Sequence, residues 1–189
     1  MYLQLGIEHI TDLKGYDHIL FLITLMAVYQ LKHWKKILIL ITAFTIGHTI
    51  SLILSSFNLV SIPRNWIEFL IPVTILLTAI GNMMQTEDDF SKRLHHYKYL
   101  LAIVFGLIHG LGFSNYLRAL ILNEESLAGP LFSFNLGIEA GQLLIVSCFI
   151  LLGILMMGRF KVRSREWNLV FSGAGLGVSI ILMIERMPL

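Results

Sequence analysis

The sequence predicts an all-α integral membrane protein, folded as a single membrane domain over residues 1–189 and arranged as a bundle of six transmembrane helices. The composition is the first reason: 56% of the residues are hydrophobic, 14% are charged and the mean hydropathy is +0.77. A soluble domain carries roughly 25% charged residues. The second reason is that apolar runs close to the ~20 residues needed to cross a bilayer recur along the whole length.

Six apolar segments predict the membrane crossings. They are residues 16–31, 35–57, 65–84, 99–121, 130–157 and 167–186. The first crossing begins at the polar pair Asp17-His18, and residues 3–14 before it predict a short amphipathic or irregular piece on the membrane surface. The N-terminal residues lack a basic region followed by a small-residue cleavage site, so we expect no removable signal peptide.

The basic residues of the connections predict the orientation, because Lys and Arg accumulate on the cytoplasmic side. Ten of the fourteen lie in the first, third and fifth connections, and four lie on the opposite side. We therefore expect a multi-pass protein of the inner (plasma) membrane with both termini on the outer, periplasmic side. The net charge of +2 is too small to indicate a nucleic-acid partner. The lone Cys148 cannot form an internal disulfide.

Five polar residues lie inside or at the mouth of the apolar segments: Asp17, His18, His48, His109 and Glu139. An ionisable group in hydrocarbon is costly, so each is a candidate functional residue. With the predicted orientation, His48, His109 and Glu139 fall ~14–18 Å below the outer surface, and Asp17 and His18 lie near the outer entrance. Because these five residues come from several helices and three of them fall at similar depth, we predict that they form one metal site that opens outward.

Other polar side chains accompany these residues on the predicted helices. Thr45 shares a helical face with His48 and Ser55, and Asn135 and Gln142 share a face with Glu139. We assign Thr45, Asn135 and Gln142 to a possible supporting layer of the site. His9 and Glu68 are candidates for that layer or for the entrance.

Each candidate also has a purely structural interpretation. Asp17 can cap a helix beside an interfacial histidine, and His48 can bond a neighbouring helix. The glycines around His109, in FGLIHGLGF, also fit close helix packing. Glu139 can be a protonated carboxyl bonded to another helix, and Glu68 can pair with Arg64 at the surface.

Histidines together with carboxylates favour a borderline first-row transition metal such as nickel, cobalt, zinc, Cu(II) or iron. The lack of cysteine ligands disfavours Cu(I), and calcium or magnesium would prefer an all-oxygen shell.

Four motifs, taken together, resemble the HupE/UreJ family of hydrogenase and urease accessory membrane proteins. They are EHITDLKGYDHILFLITL, TAFTIGHTISLIL, FGLIHGLGF and FNLGIEAGQL, and they span most of the chain in family order. The resemblance implies a nickel or cobalt permease and implicates His9, Asp17, His18, His48, His109 and Glu139. Family members often place five residues between the first His and the Asp-His pair, whereas seven separate His9 from Asp17 here.

The sequence is compatible with three functions. The first is a permease that takes a divalent metal from the outer face, with a homodimer as a possible assembly because six spans are few for alternating access. The second is an intramembrane zinc hydrolase in which Glu139 or Ser51 assists a metal-activated water; it predicts an opening toward lipid. The third is a metal-dependent scaffold for a partner complex.

Overall fold

A computed structural model describes residues 1–85, 92–121 and 126–188 of the chain. Within these residues it forms seven α-helices and one short 3-10 turn. The α-helices are α1 (Tyr2–Thr11), α2 (Asp17–Met26), α3 (Trp34–Ser56), α4 (Arg64–Met84), α5 (Lys92–Ile121), α6 (Ala128–Arg159) and α7 (Ser164–Glu185). The all-helical class predicted from the sequence is confirmed for this part of the chain.

Four helices in the described part of the chain are long and apolar enough to cross a membrane. They are 31–56, which includes the 3-10 turn before α3, together with α4, α6 and α7. Two of the six predicted spans correspond to shorter apolar stretches, α2 and residues 98–114 of α5. The structure therefore supports a multi-pass membrane protein without confirming six full crossings.

The segment predicted as the first span, 16–31, differs most from the expectation. Its helix α2 has 10 residues, or ~15 Å at 1.5 Å per residue, which is half of a ~30 Å hydrocarbon core. The chain leaves helical geometry after Met26 and forms the 3-10 turn at Leu31–His33. Phe21, Leu22 and Met26 of α2 are at most 1% exposed, so α2 is a central core helix surrounded by longer ones.

Residues 3–14 were expected on the membrane surface, and the structure instead packs α1 along α6. A Cβ atom at Gly6 would overlap the carbonyl oxygen of Phe134, and one at Gly137 would overlap that of Leu3. Ile10 in turn lies against Gly141. Contacts that advance together along both helices mean that α1 and α6 run in the same direction, with backbones in direct contact.

The same kind of packing joins α3 to α5. A Cβ atom at Gly47 would overlap the carbonyl oxygen of Ile103, and one at Gly106 would overlap that of Phe44. Small residues permit such close approach between membrane helices. Gly110 faces Ser51 one turn further along, so α3 and α5 are also parallel.

A buried polar network joins α2, α4 and α7. The side-chain amide of Asn82 donates to the carbonyl of Thr24 (2.6 Å), and that of Asn168 donates to the carbonyl of Asn82 (2.8 Å). Arg165 donates to the carbonyls of Met83 and Gln85 at the end of α4. These bonds satisfy backbone groups that lipid could not, and they fix α2 between its neighbours.

Candidate metal centre

Histidines from four helices converge in the interior of the bundle. They are His9 on α1, His18 on α2, His48 on α3 and His109 on α5. One ring nitrogen from each of His9, His18 and His48 lies within 4.8 Å of the other two. Three nitrogens at this separation can converge on one ion with modest side-chain adjustment, since metal–imidazole bonds are ~2 Å long.

His109 completes the group from the side of His18. The centroids of the His18 and His109 rings are 5.0 Å apart, compared with 4.7 Å for His9 and His18 and 6.4 Å for His18 and His48. His18 is therefore the histidine between the other rings. We call His9, His18, His48 and His109 the histidine cluster.

Most ring nitrogens of the histidine cluster have no hydrogen-bond partner although they are buried. These are Nε2 of His9 and His18, both ring nitrogens of His48, and Nδ1 of His109. A buried polar atom left unpaired costs about 1–3 kcal/mol, and such an atom requires an explanation. Unpaired nitrogens that converge from several helices have the arrangement expected of ligands for a cation.

The remaining nitrogen of His109 has a partner. Nε2 of His109 lies 3.2 Å from the hydroxyl of Thr74 on α4, and the same hydroxyl donates to the carbonyl of Ile71 (2.7 Å). A ring nitrogen held by a neighbouring group fixes the orientation of the imidazole, as metal-binding histidines require. With its Oγ–H committed to Ile71, Thr74 accepts from an Nε2–H, which leaves Nδ1 as the nitrogen free for a metal.

Close helix packing positions three of these histidines. Gly6 lies three residues before His9, Gly106 lies three residues before His109, and Gly47 immediately precedes His48. Each glycine contacts the backbone of the partner helix, so the helix carrying the imidazole cannot move away from the centre without losing that contact. The Gly-x-x-His spacing shared by α1 and α5 is a sequence signal that could have identified His9 as a cluster member.

Aromatic rings surround the histidine cluster. The His109 ring lies 5.1 Å from that of Phe21 and 5.3 Å from that of Phe44. The His9 ring lies 3.9 Å from that of Phe113, which stacks on Phe134 with nearly parallel planes. These rings form an apolar wall around the imidazoles, and such a wall strengthens any electrostatic interaction formed there.

A cavity of about 370 Å³ reaches the cluster from one end of the bundle. His9, His18 and His109 line it, whereas the fully buried His48 does not. Its other walls include six charged side chains: Asp12, Lys14, Asp17, Arg64, Glu68 and Arg186. The approach to the histidines is therefore polar and suited to water and ions.

Asp17, predicted as a ligand, is engaged elsewhere. Its carboxylate accepts two bonds from the guanidinium of Arg186, at 2.9 Å and 3.3 Å. Burial by itself lowers the pKa of Arg186, but the hydrogen bond and charge of Asp17 outweigh it, with a smaller contribution from Glu68, and raise that pKa overall. The guanidinium stays charged, and Asp17 belongs to the rim of the cavity.

Glu68 also lines the cavity, and its role as an entrance residue stays a prediction. Its carboxylate accepts a 2.6 Å bond from Nε of Arg64, one helical turn earlier. Both side chains are well exposed, at 40% and 78%. The surface ion pair considered from the sequence is therefore present, and such pairs contribute little stability.

Glu139 lies in a different place from the histidine cluster. Its carboxylate accepts a 2.6 Å bond from the hydroxyl of Thr42 on α3. Ring nitrogens of His9, His18 and His48 lie within 4.8 Å of one another, and no oxygen of Glu139 belongs to that group. This corresponds to the interpretation of Glu139 as a carboxyl bonded to another helix.

The remaining candidates are neighbours of His48. The hydroxyl of Thr45 donates to the side-chain carbonyl of Gln142 (2.9 Å), and Asn135 lies beside the His48 ring with an unpaired Oδ1. The Ser51 hydroxyl donates to the backbone carbonyl of His48 (2.8 Å). Asn135 lies beside His48, and Thr45, one turn before His48, bonds to Gln142. The role of these three residues as a supporting layer stays a prediction, and the Ser51 hydroxyl is bonded within α3.

Comparison with known proteins identifies a family. The family model described as HupE / UreJ protein matches residues 1–186, nearly the whole chain. Comparison with curated proteins gave no significant match, and comparison with solved structures gave none. The match agrees with the resemblance carried by the four sequence motifs.

Proposed function

The chain belongs to the HupE/UreJ family, and we propose that it is a permease of the nickel and cobalt type. It takes a divalent transition-metal ion from the outer face of the inner membrane. The observation that carries the proposal is the convergence of three buried imidazole nitrogens within 4.8 Å. Association of the family with nickel and cobalt transport supports the choice of cargo.

The ligand set supports an exchangeable ion. Imidazole suits nickel, cobalt and zinc alike. The cluster offers uncharged nitrogens, while the two carboxylates nearest in sequence to its members, Asp17 and Glu8, bond to Arg186 and Gln4. Without an anionic ligand the site holds a divalent cation less tightly than a charge-compensated site would. That is the property expected of a site that must release its cargo.

The shape of the approach supports entry from water. Three histidines line a cavity whose rim carries both acidic and basic side chains. In the orientation predicted from the basic residues, this rim faces outward. Arg64 and Glu68 begin α4 on that side, and Lys35 and Lys36 begin α3 on the opposite side.

The zinc-hydrolase alternative receives less support from the same geometry. It needs a carboxylate or hydroxyl beside the metal to assist a bound water. The carboxylate of Glu139 bonds to Thr42, and the hydroxyl of Ser51 bonds to a backbone carbonyl. The cavity that reaches the histidines has charged walls, whereas that alternative requires an opening toward lipid.

Transport is tested with purified protein in liposomes that enclose a metal-sensitive dye. We expect influx of Ni²⁺ or Co²⁺ through the wild type and its loss in His48→Ala. A matched control is His33→Ala, because His33 lies before α3, ~22 Å along the chain from His48. No influx of Ni²⁺, Co²⁺, Zn²⁺, Mn²⁺ or Fe²⁺ above that of empty liposomes, under any applied gradient, would overturn the proposal.

A further inference from the structure

Glu139 is a carboxyl in the middle of a membrane-crossing helix and outside the histidine cluster. It is the twelfth of the 32 residues of α6, ~16 Å from the start of that helix. It lines a groove of about 360 Å³ on the flank of the bundle between α3 and α6. The other polar lining residues are Thr45, Thr49 and Asn135, and the rest of the groove is apolar.

A carboxylate at such a place needs a cation or a proton, because an unpaired charge in hydrocarbon is costly. The ion pairs found among the described residues are Arg64–Glu68 and Arg186–Asp17, and neither involves Glu139. Its hydrogen-bond partner is the hydroxyl of Thr42.

The ionisable side chains on the helices that pack against α6 either bond to other residues or lie too far along their helix to pair with Glu139. On α1, Glu8 bonds to Gln4, and on α2, Asp17 bonds to Arg186. The basic residues at the start of α3, Lys35 and Lys36, precede Thr42 by at least six positions, or ~9 Å along the helix. The histidine cluster supplies the remaining ionisable groups, and none of them bonds to Glu139.

Polar side chains of α3 and α6 meet in pairs in the region between Glu139 and His48. Thr42 donates to Glu139 at 2.6 Å, and Thr45 donates to Gln142 at 2.9 Å. One turn beyond Thr45, His48 lies beside Asn135. Asn135 and Glu139 are one turn apart on α6 and line the same groove, so a change of charge at Glu139 occurs close to the side chain that lies beside His48.

We propose that Glu139 is a proton-binding site linked to the metal centre: a proton occupies the carboxyl when the metal is absent and leaves when the metal binds. The step involves one O–H bond, which forms as a carboxylate oxygen takes a proton from water and breaks as the proton returns to water. A divalent cation near His48 favours the carboxylate over the neutral acid. Linkage is reciprocal, so protonation of Glu139 weakens metal binding equally.

This inference rests on the metal site of the proposed function, but it does not require transport. The first test is labelling by a hydrophobic carbodiimide, which adds to a protonated carboxyl in an apolar setting. We expect mass spectrometry of the metal-free wild type to locate the adduct at Glu139 and Ni²⁺ to suppress it. In His48→Ala the adduct should form whether or not Ni²⁺ is present.

The second test measures protons released when Ni²⁺ is added to weakly buffered protein in detergent. Glu139→Gln keeps the shape of the neutral acid and removes the proton, so it should release up to one proton fewer per bound ion than the wild type. Glu185→Gln removes an exposed carboxyl at the end of α7 and is the matched control, which should release as many protons as the wild type does.

Absence of the adduct at Glu139, an adduct that Ni²⁺ does not affect, or equal proton release by Glu139→Gln and the wild type would each overturn the inference. Failure of the permease proposal has a different signature. Liposomes would show no metal influx while labelling of Glu139 still responded to Ni²⁺.

Discussion

The rings of His9 and His18 lie with their centroids 4.7 Å apart, although they belong to different helices. The short connection from Asp12 to Tyr16 brings the end of α1 and the start of α2 to the same point. Each helix is then held by a different partner, α1 by α6 and α2 by α4 and α7. The metal centre therefore depends on contacts far away in the sequence.

Substitution of Gly6 by alanine should weaken metal binding without touching a ligand. The new Cβ would overlap the carbonyl oxygen of Phe134, so α1 must shift and carry His9 with it. We expect a stability loss of about 1–3 kcal/mol, as for other overpacked sites, together with reduced Ni²⁺ affinity in isothermal titration calorimetry.

Gly173→Ala is the matched control, because a Cβ at that position on α7 meets nothing within 4 Å. It should leave affinity unchanged and raise stability by about 0.5–1 kcal/mol, since alanine is favoured over glycine inside a helix. Equal effects of the two substitutions on affinity would show that the packing of α1 against α6 does not position His9.

Replacement of His48 by leucine should remove metal binding and stabilise the metal-free protein. Both ring nitrogens of His48 are buried and unpaired, and each unpaired polar atom costs about 1–3 kcal/mol. In detergent with a chelator, we expect His48→Leu to have a higher midpoint of thermal unfolding than the wild type. Addition of Ni²⁺ should raise the midpoint of the wild type but not that of His48→Leu.

His33→Leu provides the comparison for that experiment. The His33 ring accepts a bond from the backbone N–H of Gln30, so its loss should lower stability slightly and leave the response to Ni²⁺ intact. A metal-free His48→Leu protein less stable than the wild type would mean that the cluster is a structural element rather than a prepared binding site.

Release of Asp17 from its ion pair should strengthen metal binding at the cost of stability. Arg186→Gln leaves a carboxylate of low exposure without its cation, which should cost about 1–3 kcal/mol. The freed charge lies beside His18, and we expect Ni²⁺ affinity to rise about tenfold, equivalent to 1.4 kcal/mol.

The double substitution Asp17→Asn with Arg186→Gln separates the two effects. Neither charge remains, so stability should recover in part and affinity should return toward that of the wild type. If Arg186→Gln binds Ni²⁺ no more tightly than the double variant does, the Asp17 carboxylate does not influence the centre.

Metal affinity should fall when the solution is acidified. Metal ligation requires neutral imidazoles, and protons compete with the ion for the same nitrogens. Burial disfavours the charged form of an imidazole, so we expect this competition to set in below the range of about pH 5–8 in which exposed histidines change charge. Ni²⁺ binding should therefore be weaker at about pH 4 than at about pH 7.5. Equal Ni²⁺ affinity at these two pH values would contradict the assignment of the histidines as ligands.

The long helices were predictable because apolar runs end at charged or helix-breaking residues. The segment predicted as 65–84 forms α4 from Arg64 to Met84, directly after Pro63. The segment predicted as 16–31 is equally apolar, but α2 ends at Met26. The length of α2 depends on the longer helices that enclose it. Composition does not reveal this length, because an apolar segment in a protein core has the same composition as one in lipid.

The candidate site was predictable where a histidine interrupts an apolar run, as at His48 and His109. His9 is predicted only as a candidate for the supporting layer or the entrance, because its position in the cluster depends on the contact of Gly6 with α6. The partner of Asp17 was not predictable, since Arg186 is 169 residues away. Pairing across such a distance follows from the assembled bundle.

X-ray absorption spectroscopy of the nickel-loaded protein tests the central claim most directly. We expect one ion per chain, bound by imidazole nitrogens from His9, His18 and His48. The imidazole signal should be lost when all three are replaced by alanine. A shell of carboxylate oxygens, or a spectrum that the triple substitution leaves unchanged, would contradict the assignment of the histidine cluster as the metal centre.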